Sequence, residues 1–146
     1  MPTQSTLAVE WVPLDRVFLS PSNPRKNEEA VDHVAASLRR FGWQQPVVAK
    51  RTGEVIAGNT RLKAAKSLGM TTVPVVWFEG SEIDALAYQV ADNRTHEFAS
   101  WDQQGLVEIL AHLQTEDALE GVGFSTADID ELLAELDAQY RSPKVR

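Results

Sequence analysis

An α/β or α+β core over the first hundred residues, followed by a purely helical extension, is the architecture this sequence predicts. Three observations point to it. Short apolar runs alternate with helix-period patterns up to about residue 100. Glycines at positions 42, 53, 58 and 69 fall between those segments, where helices stop or turns begin. Beyond residue 101 only helical patterns follow. Residues 1–100 are therefore expected to form the main domain and residues 101–146 the extension.

The first element lies in residues 10–20, where apolar and polar residues alternate around Pro13. Proline cannot donate to a strand ladder, so this stretch reads as an edge strand or as two short extended pieces. Pro21-Ser22-Asn23-Pro24-Arg25 is a turn cluster. In residues 28–41, Val31, Val34, Ala35, Leu38 and Phe41 recur at spacings of three and four, the stripe of an amphipathic helix. Gly42 supplies its stop, since a left-handed residue costs glycine little. Residues 46–49 form a short buried strand, and Thr52-Gly53 turns into a strand over 54–57. A helix over 60–68 ends at Gly69, and a strand over 73–78 follows. Ser81 opens the next helix with Glu82 and Asp84 in its first turn, where carboxylates meet the positive end of the helix dipole. That helix is expected to continue through Asp92-Asn93-Arg94 toward His96 and Glu97. Asp102 is expected to cap a helix over 103–113, followed by an acidic linker over 115–120. Ser125, with Asp128 three residues on, forms a near capping box for the last helix.

Composition excludes several chemistries. There is no cysteine, so disulfides, thiolate metal sites and cysteine nucleophiles are absent. No apolar run approaches the roughly 20 residues a membrane helix needs. Residues 1–7 lack the charged start and apolar core of a signal peptide. The expectation is a cytoplasmic protein that does not engage membranes. The net charge of −7 is unevenly spread: residues 1–75 hold ten Lys/Arg against six Asp/Glu, and residues 76–146 four against fifteen. A basic first half suits phosphates, whereas the acidic second half repels a nucleic-acid backbone.

The segment richest in chemistry runs Val55-Ile56-Ala57-Gly58-Asn59-Thr60-Arg61-Leu62-Lys63. An apolar strand meets glycine, then Asn59 as a potential cap, then a helix bearing Arg61 and Lys63. Helix-initial N–H groups lack intrahelical partners and sit at the positive end of the dipole, and arginine binds anions through paired hydrogen bonds. Together these make a phosphate cradle. His96 and Glu97 are adjacent on a helix and face different directions, which argues against an acid–base pair. Trp43, Trp77 and Trp101 read as core or interface anchors. The stripe Ile129, Leu132, Leu133 and Leu136 suits packing on the chain's own core or on a second copy, which leaves a homodimer open.

Five elements in order carry a family resemblance: Asn23-Pro24-Arg25; Phe41-Gly42-Trp43-Gln44-Gln45-Pro46; Gly58-Asn59-Thr60-Arg61-Leu62-Lys63-Ala64-Ala65; Val73-Pro74-Val75; and Asp92-Asn93. This pattern, covering residues 10–100, resembles the N-terminal domain of the ParB family, within the ParB/sulfiredoxin superfamily. The resemblance implies a small mixed sheet flanked by helices. It also implies a nucleotide-binding module that takes CTP or another nucleoside triphosphate with magnesium and hydrolyses it slowly. In the family a Gly-Glu-Arg-Arg box holds the phosphates; it corresponds here to Gly58, Asn59, Thr60 and Arg61. The family's Gly-x-x-Gln-Pro turn matches Gly42, Gln45 and Pro46, with Gln45 bordering base or ribose. A Glu-Asn pair serving metal and phosphate matches Asp92 and Asn93, and Arg25 matches a phosphate clamp.

The departures are informative. Asn59 replaces a glutamate, Thr60 replaces an arginine, and Lys63 stands where another arginine is common. Sulfiredoxins carry a cysteine in the equivalent turn, and its absence here excludes sulfinic-acid reduction. The pattern resembles most closely the ParB-like domains found with phage and mobile-element DNA methyltransferases, yet no methylase motif follows. The expected role is nucleotide binding in a DNA transaction such as partition, modification or mobile-element maintenance, with DNA or a DNA-modifying enzyme as partner. Alternatives are a non-enzymatic DNA-binding or adaptor protein and, ranked lower, a magnesium-dependent nuclease or small-molecule kinase.

Overall fold

Residues 10–20 fold as two extended pieces, and the break falls just after Pro13. Strands β1 (Glu10–Pro13) and β2 (Phe18–Leu19) are separated by a 3-10 turn at Leu14–Arg16. The computed structural model describes residues 7–21, 23 and 28–141. Its sheet has five strands in the order β1-β5-β3-β4-β2, with β3 at Val47–Ala49, β4 at Glu54–Ala57 and β5 at Thr72–Trp77. The two pieces thus occupy opposite edges of one sheet. Pro13 lies opposite Thr72 on the outermost strand, where a missing N–H breaks no inner ladder. The sheet is mixed: β3 runs parallel to β5 and antiparallel to β4, while β2 runs parallel to β4.

Strand alternation sorts the side chains of β4 between two faces. Val55 joins Val47, Val73, Val75 and Leu62 in the main core, where all five are fully buried. Leu62 comes from helix α2 (Asn59–Ser67), which therefore covers that face. Helix α1 (Glu28–Phe41) packs on α2 through Ala35 and Leu38 against Ala64 and Ala65. Three of these four contact residues are alanines, and small side chains let the two helices approach closely. Helix α3 (Glu82–Glu97) lies against β4, and only Ala85 and Gln89 along its length are buried. Tyr88 of α3 stacks on Phe78, just past β5, at 5.6 Å.

Helices α4 (Gln103–Thr115) and α5 (Thr126–Arg141) form a hairpin around Leu106, Leu110 and Ile129. Its connecting loop sits on α1. Arg40 Nη1 donates to the carbonyls of Ala118 and Glu120, both at 2.6 Å, and any side chain at Gly121 would meet the Ala36 carbonyl at 2.9 Å. The last helix therefore packs within its own chain through Ile129, while Leu133 of the same stripe is exposed. The predicted capping box forms: Asp128 N donates to Ser125 Oγ at 3.1 Å and Ser125 N to Asp128 Oδ2 at 2.8 Å. Asp102 occupies the N-cap position of α4 but makes no side-chain capping bond. Its carboxylate lies over Gly105, where a methyl group would meet it at 2.9 Å. Helix α4 also runs on to Thr115, so the acidic linker is shorter than expected. No described helix is long and apolar enough to cross a membrane.

Candidate functional site

The site begins where β4 ends. Gly58 has φ +96°, and a Cβ there would sit 2.8 Å from Val47 Cγ1 and 3.0 Å from Arg61 Nη2. Both the backbone conformation and the available space thus require glycine. The turn starts α2 at once, and it leaves the first N–H groups of that helix facing outward at its positive end.

Gly58, not Asn59, is the N-cap, and no side chain caps α2. Asn59 is the first helical residue, and its buried amide turns back into the fold. Oδ1 accepts from Ser20 N at 2.9 Å, and Nδ2 donates to the Val55 carbonyl at 2.9 Å. The side chain therefore ties Ser20, just after β2, to Val55 within β4. Capping would require Asn59 one position earlier, with an extended backbone. What Asn59 offers the cradle is its backbone N–H.

Arg61 folds back over the turn. Its Nη2 donates to the Pro46 carbonyl at 3.1 Å, while Nε is enclosed and has no hydrogen-bond partner among the described residues. Burial pushes the guanidinium pKa below its ordinary value, and the nearby Asp92 and Tyr88 pull the other way. Burial likewise raises the Tyr88 phenol, with Asp92 adding to the effect. A buried donor without a partner is costly, about 1–3 kcal/mol, and an anion within reach relieves that cost.

A cleft of about 280 Å³ opens beside this turn, lined by residues 56–61 of β4 and α2, by Asp92, Asn93 and His96 of α3, and by Asn23, Ala30 and Val34. Six residues expected at the site share this space: Gly58, Asn59, Thr60, Arg61 and, across from them, Asp92 with Asn93 beside it. Gln45 is exposed and does not line the cleft, although Arg61 holds the carbonyl of Pro46 next to it. Lys63 is two residues on from Arg61, about 200° around the helix, and also lies outside the lining. Arg25 lies outside the described residues.

His96 was set aside with its neighbour Glu97, yet the two part company. Glu97 pairs with Arg94 at 2.5 Å, while His96 Nδ1 lies 2.7 Å from the Asp92 carbonyl. A carbonyl only accepts, so Nδ1 is the donor of this contact. The usable signal was the spacing of four between Asp92 and His96, which stacks them on one helix face. Among the described residues no group of three His, Cys, Asp or Glu is placed to hold a metal ion. One carboxylate, Asp92, with the Asn93 amide matches an ion such as magnesium, which takes one or two carboxylates and draws its other ligands from water and phosphate.

Comparison with known proteins bears on this arrangement. Residues 2–94 match the ParB N-terminal domain. The chain is 36% identical over 75 residues to the ParB-like nuclease domain-containing protein YnaK of Escherichia coli, an alignment covering 51% of this chain and 86% of that protein. It is 33% identical over 101 residues to a probable chromosome-partitioning protein ParB of Campylobacter jejuni, covering 66% of this chain but 31% of that one. The chain thus spans about a third of the length of that partitioning protein. Among solved structures, the C-terminally truncated ParB of Caulobacter crescentus complexed with CTP-gamma-S superposes with a TM-score of 0.74 at 20% identity, covering 89% of this chain and 79% of that one. That likeness establishes a shared fold. With the family match spanning the sheet, the Gly58 turn, helices α1 and α2 and most of α3, the chain belongs to the ParB N-terminal domain family.

Proposed function

We propose that the cleft binds the phosphates of a nucleoside triphosphate, CTP or another, and that the chain serves a DNA transaction such as partition, modification or mobile-element maintenance. The observation that carries the reading is Arg61: a desolvated guanidinium with an unpartnered Nε, set against the N-terminus of α2 in one cleft. Phosphate oxygens would accept from that Nε and from the backbone N–H groups of Asn59 and Thr60. Asn23 lines the cleft from the segment after β2, Arg25 is the phosphate clamp that the family resemblance implies, and Gln45 would border the base or ribose from the turn before β3. Asp92 and Asn93 would hold magnesium against the phosphates, and the ion would neutralise their charge. Lys63 contributes positive potential from the far side of α2. The CTP-gamma-S complex of the Caulobacter relative supports a nucleotide, and the partitioning relatives support a DNA-linked role.

The cleft supports binding over fast turnover. Phosphoryl transfer depends on positioning and charge neutralisation, and here Asn59 stands in the glutamate position of the family box with its amide held inside the fold. That observation also favours a second reading, a non-enzymatic DNA-binding or adaptor protein using the same fold. Calorimetric titration of CTP, ATP and GTP with magnesium tests the first reading. The wild type is expected to bind at least one, and Arg61→Ala to weaken it by about tenfold or more. Binding of none of the three by the wild type would overturn the proposal.

A further inference from the structure

A second cleft, of about 470 Å³, lies along the N-terminal half of α3. Its apolar walls are Pro21, Ile56, Ile83 and Leu86, and its polar lining is Lys50, Glu54, Glu82 and Gln89. Ile56 borders both clefts, but the two are lined by different turns of α3. Gln89 is only 2% exposed, and its Nε2 has no hydrogen-bond partner among the described residues. Buried amide donors are nearly always satisfied, so this one points to something the cleft receives.

The other polar groups there are engaged with one another. Glu54 Oε2 accepts from Ser20 Oγ at 2.7 Å and Oε1 from Lys50 Nζ at 3.1 Å, and Lys50 also reaches Glu82 at 2.8 Å. Two carboxylates around one ammonium leave the rim net negative, which disfavours an anionic guest. The unpartnered N–H calls for an acceptor, and the walls call for an apolar body. The volume falls within the range of small-molecule sites.

We propose that this cleft binds a small neutral ligand with a flat apolar body and a carbonyl oxygen, a lactam or an aromatic carboxamide, which accepts from Gln89 Nε2. The site is separate from the phosphate-facing cleft and stands whether or not a nucleotide binds there.

Benzamide is the probe and benzoate its anionic control of the same shape, followed by ¹H–¹⁵N correlation spectra of the whole chain. Benzamide is expected to shift the Gln89 side-chain amide together with the backbone amides of residues 82–89, and benzoate to bind about tenfold more weakly or not at all. Gln89→Leu preserves bulk and removes the donor; it is expected to stay folded and lose benzamide affinity by about tenfold or more. The benzamide–benzoate comparison needs no variant, so the test holds even if Gln89→Leu does not fold. No benzamide shift at these residues, equal affinity for benzoate, or full benzamide affinity in folded Gln89→Leu would each overturn the proposal.

Discussion

Asn59 serves the fold from within the stretch proposed to hold phosphate. Its amide joins Ser20 N to the Val55 carbonyl in a buried setting, so it sets the distance between the turn after β2 and the Gly58 turn. Asn59→Ala strands both backbone partners and is expected to cost about 2–3 kcal/mol in denaturant unfolding. Asn59→Asp keeps the acceptor but loses the donor and buries a charge, so it is expected to be at least as damaging. Gly58→Ala meets Val47 and a positive φ together, and a loss of about 1–3 kcal/mol is expected in the same assay. Sequence reasoning singled out Gly58 and Arg61 because strand, glycine, helix and arginine in that order carry a mechanism, and Asp92 because it matches the acidic member of the family's Glu-Asn pair. It misread Asn59 as a cap because the direction of a side chain at a helix start depends on what lies 39 residues away. His96 escaped because adjacency to Glu97 drew attention from its neighbour one turn back.

The hairpin of α4 and α5 has its own small core and its own start signal. Leu110 is 1% exposed at its centre, so Leu110→Ala is expected to cost about 2–5 kcal/mol, felt as local opening of residues 103–141 in hydrogen exchange before the sheet opens. The Asp128 carboxylate has a lowered pKa, chiefly because Ser125 N–H donates to it and then because of the Ser125 hydroxyl. A lowered carboxylate pKa adds stability above the unfolded-state value, and that stability is lost as pH falls through the folded-state value. Circular dichroism is therefore expected to show α5 fraying on acidification below the ordinary carboxylate range, and Asp128→Asn to remove that dependence. Element positions were legible to within one or two residues because periodicity, caps and glycines are local signals. The placement of β1 and β2 on opposite edges was not, since sheet order is decided by pairing between distant strands.

Across the whole molecule, the charge division and the fold run together. The cradle and both helices of the α1–α2 pair belong to the basic first half, while α3 and the hairpin carry most of the acid. The proposed phosphate-bearing ligand would thus be drawn to the cleft from one side, and long-range attraction to extended DNA would be opposed by the other. Direct DNA contact would therefore be confined to the basic face and should weaken steeply with salt, whereas nucleotide binding in the half-buried cleft should weaken less. Residues 58–61 are proposed to hold phosphate, and the most direct test is the Arg61 Nε–H resonance during titration with CTP and magnesium. A large shift of that signal, with the backbone amides of Gly58, Asn59 and Thr60 moving alongside it, is the predicted result. Saturating nucleotide that leaves these four signals in place, or moves only residues elsewhere, would contradict it.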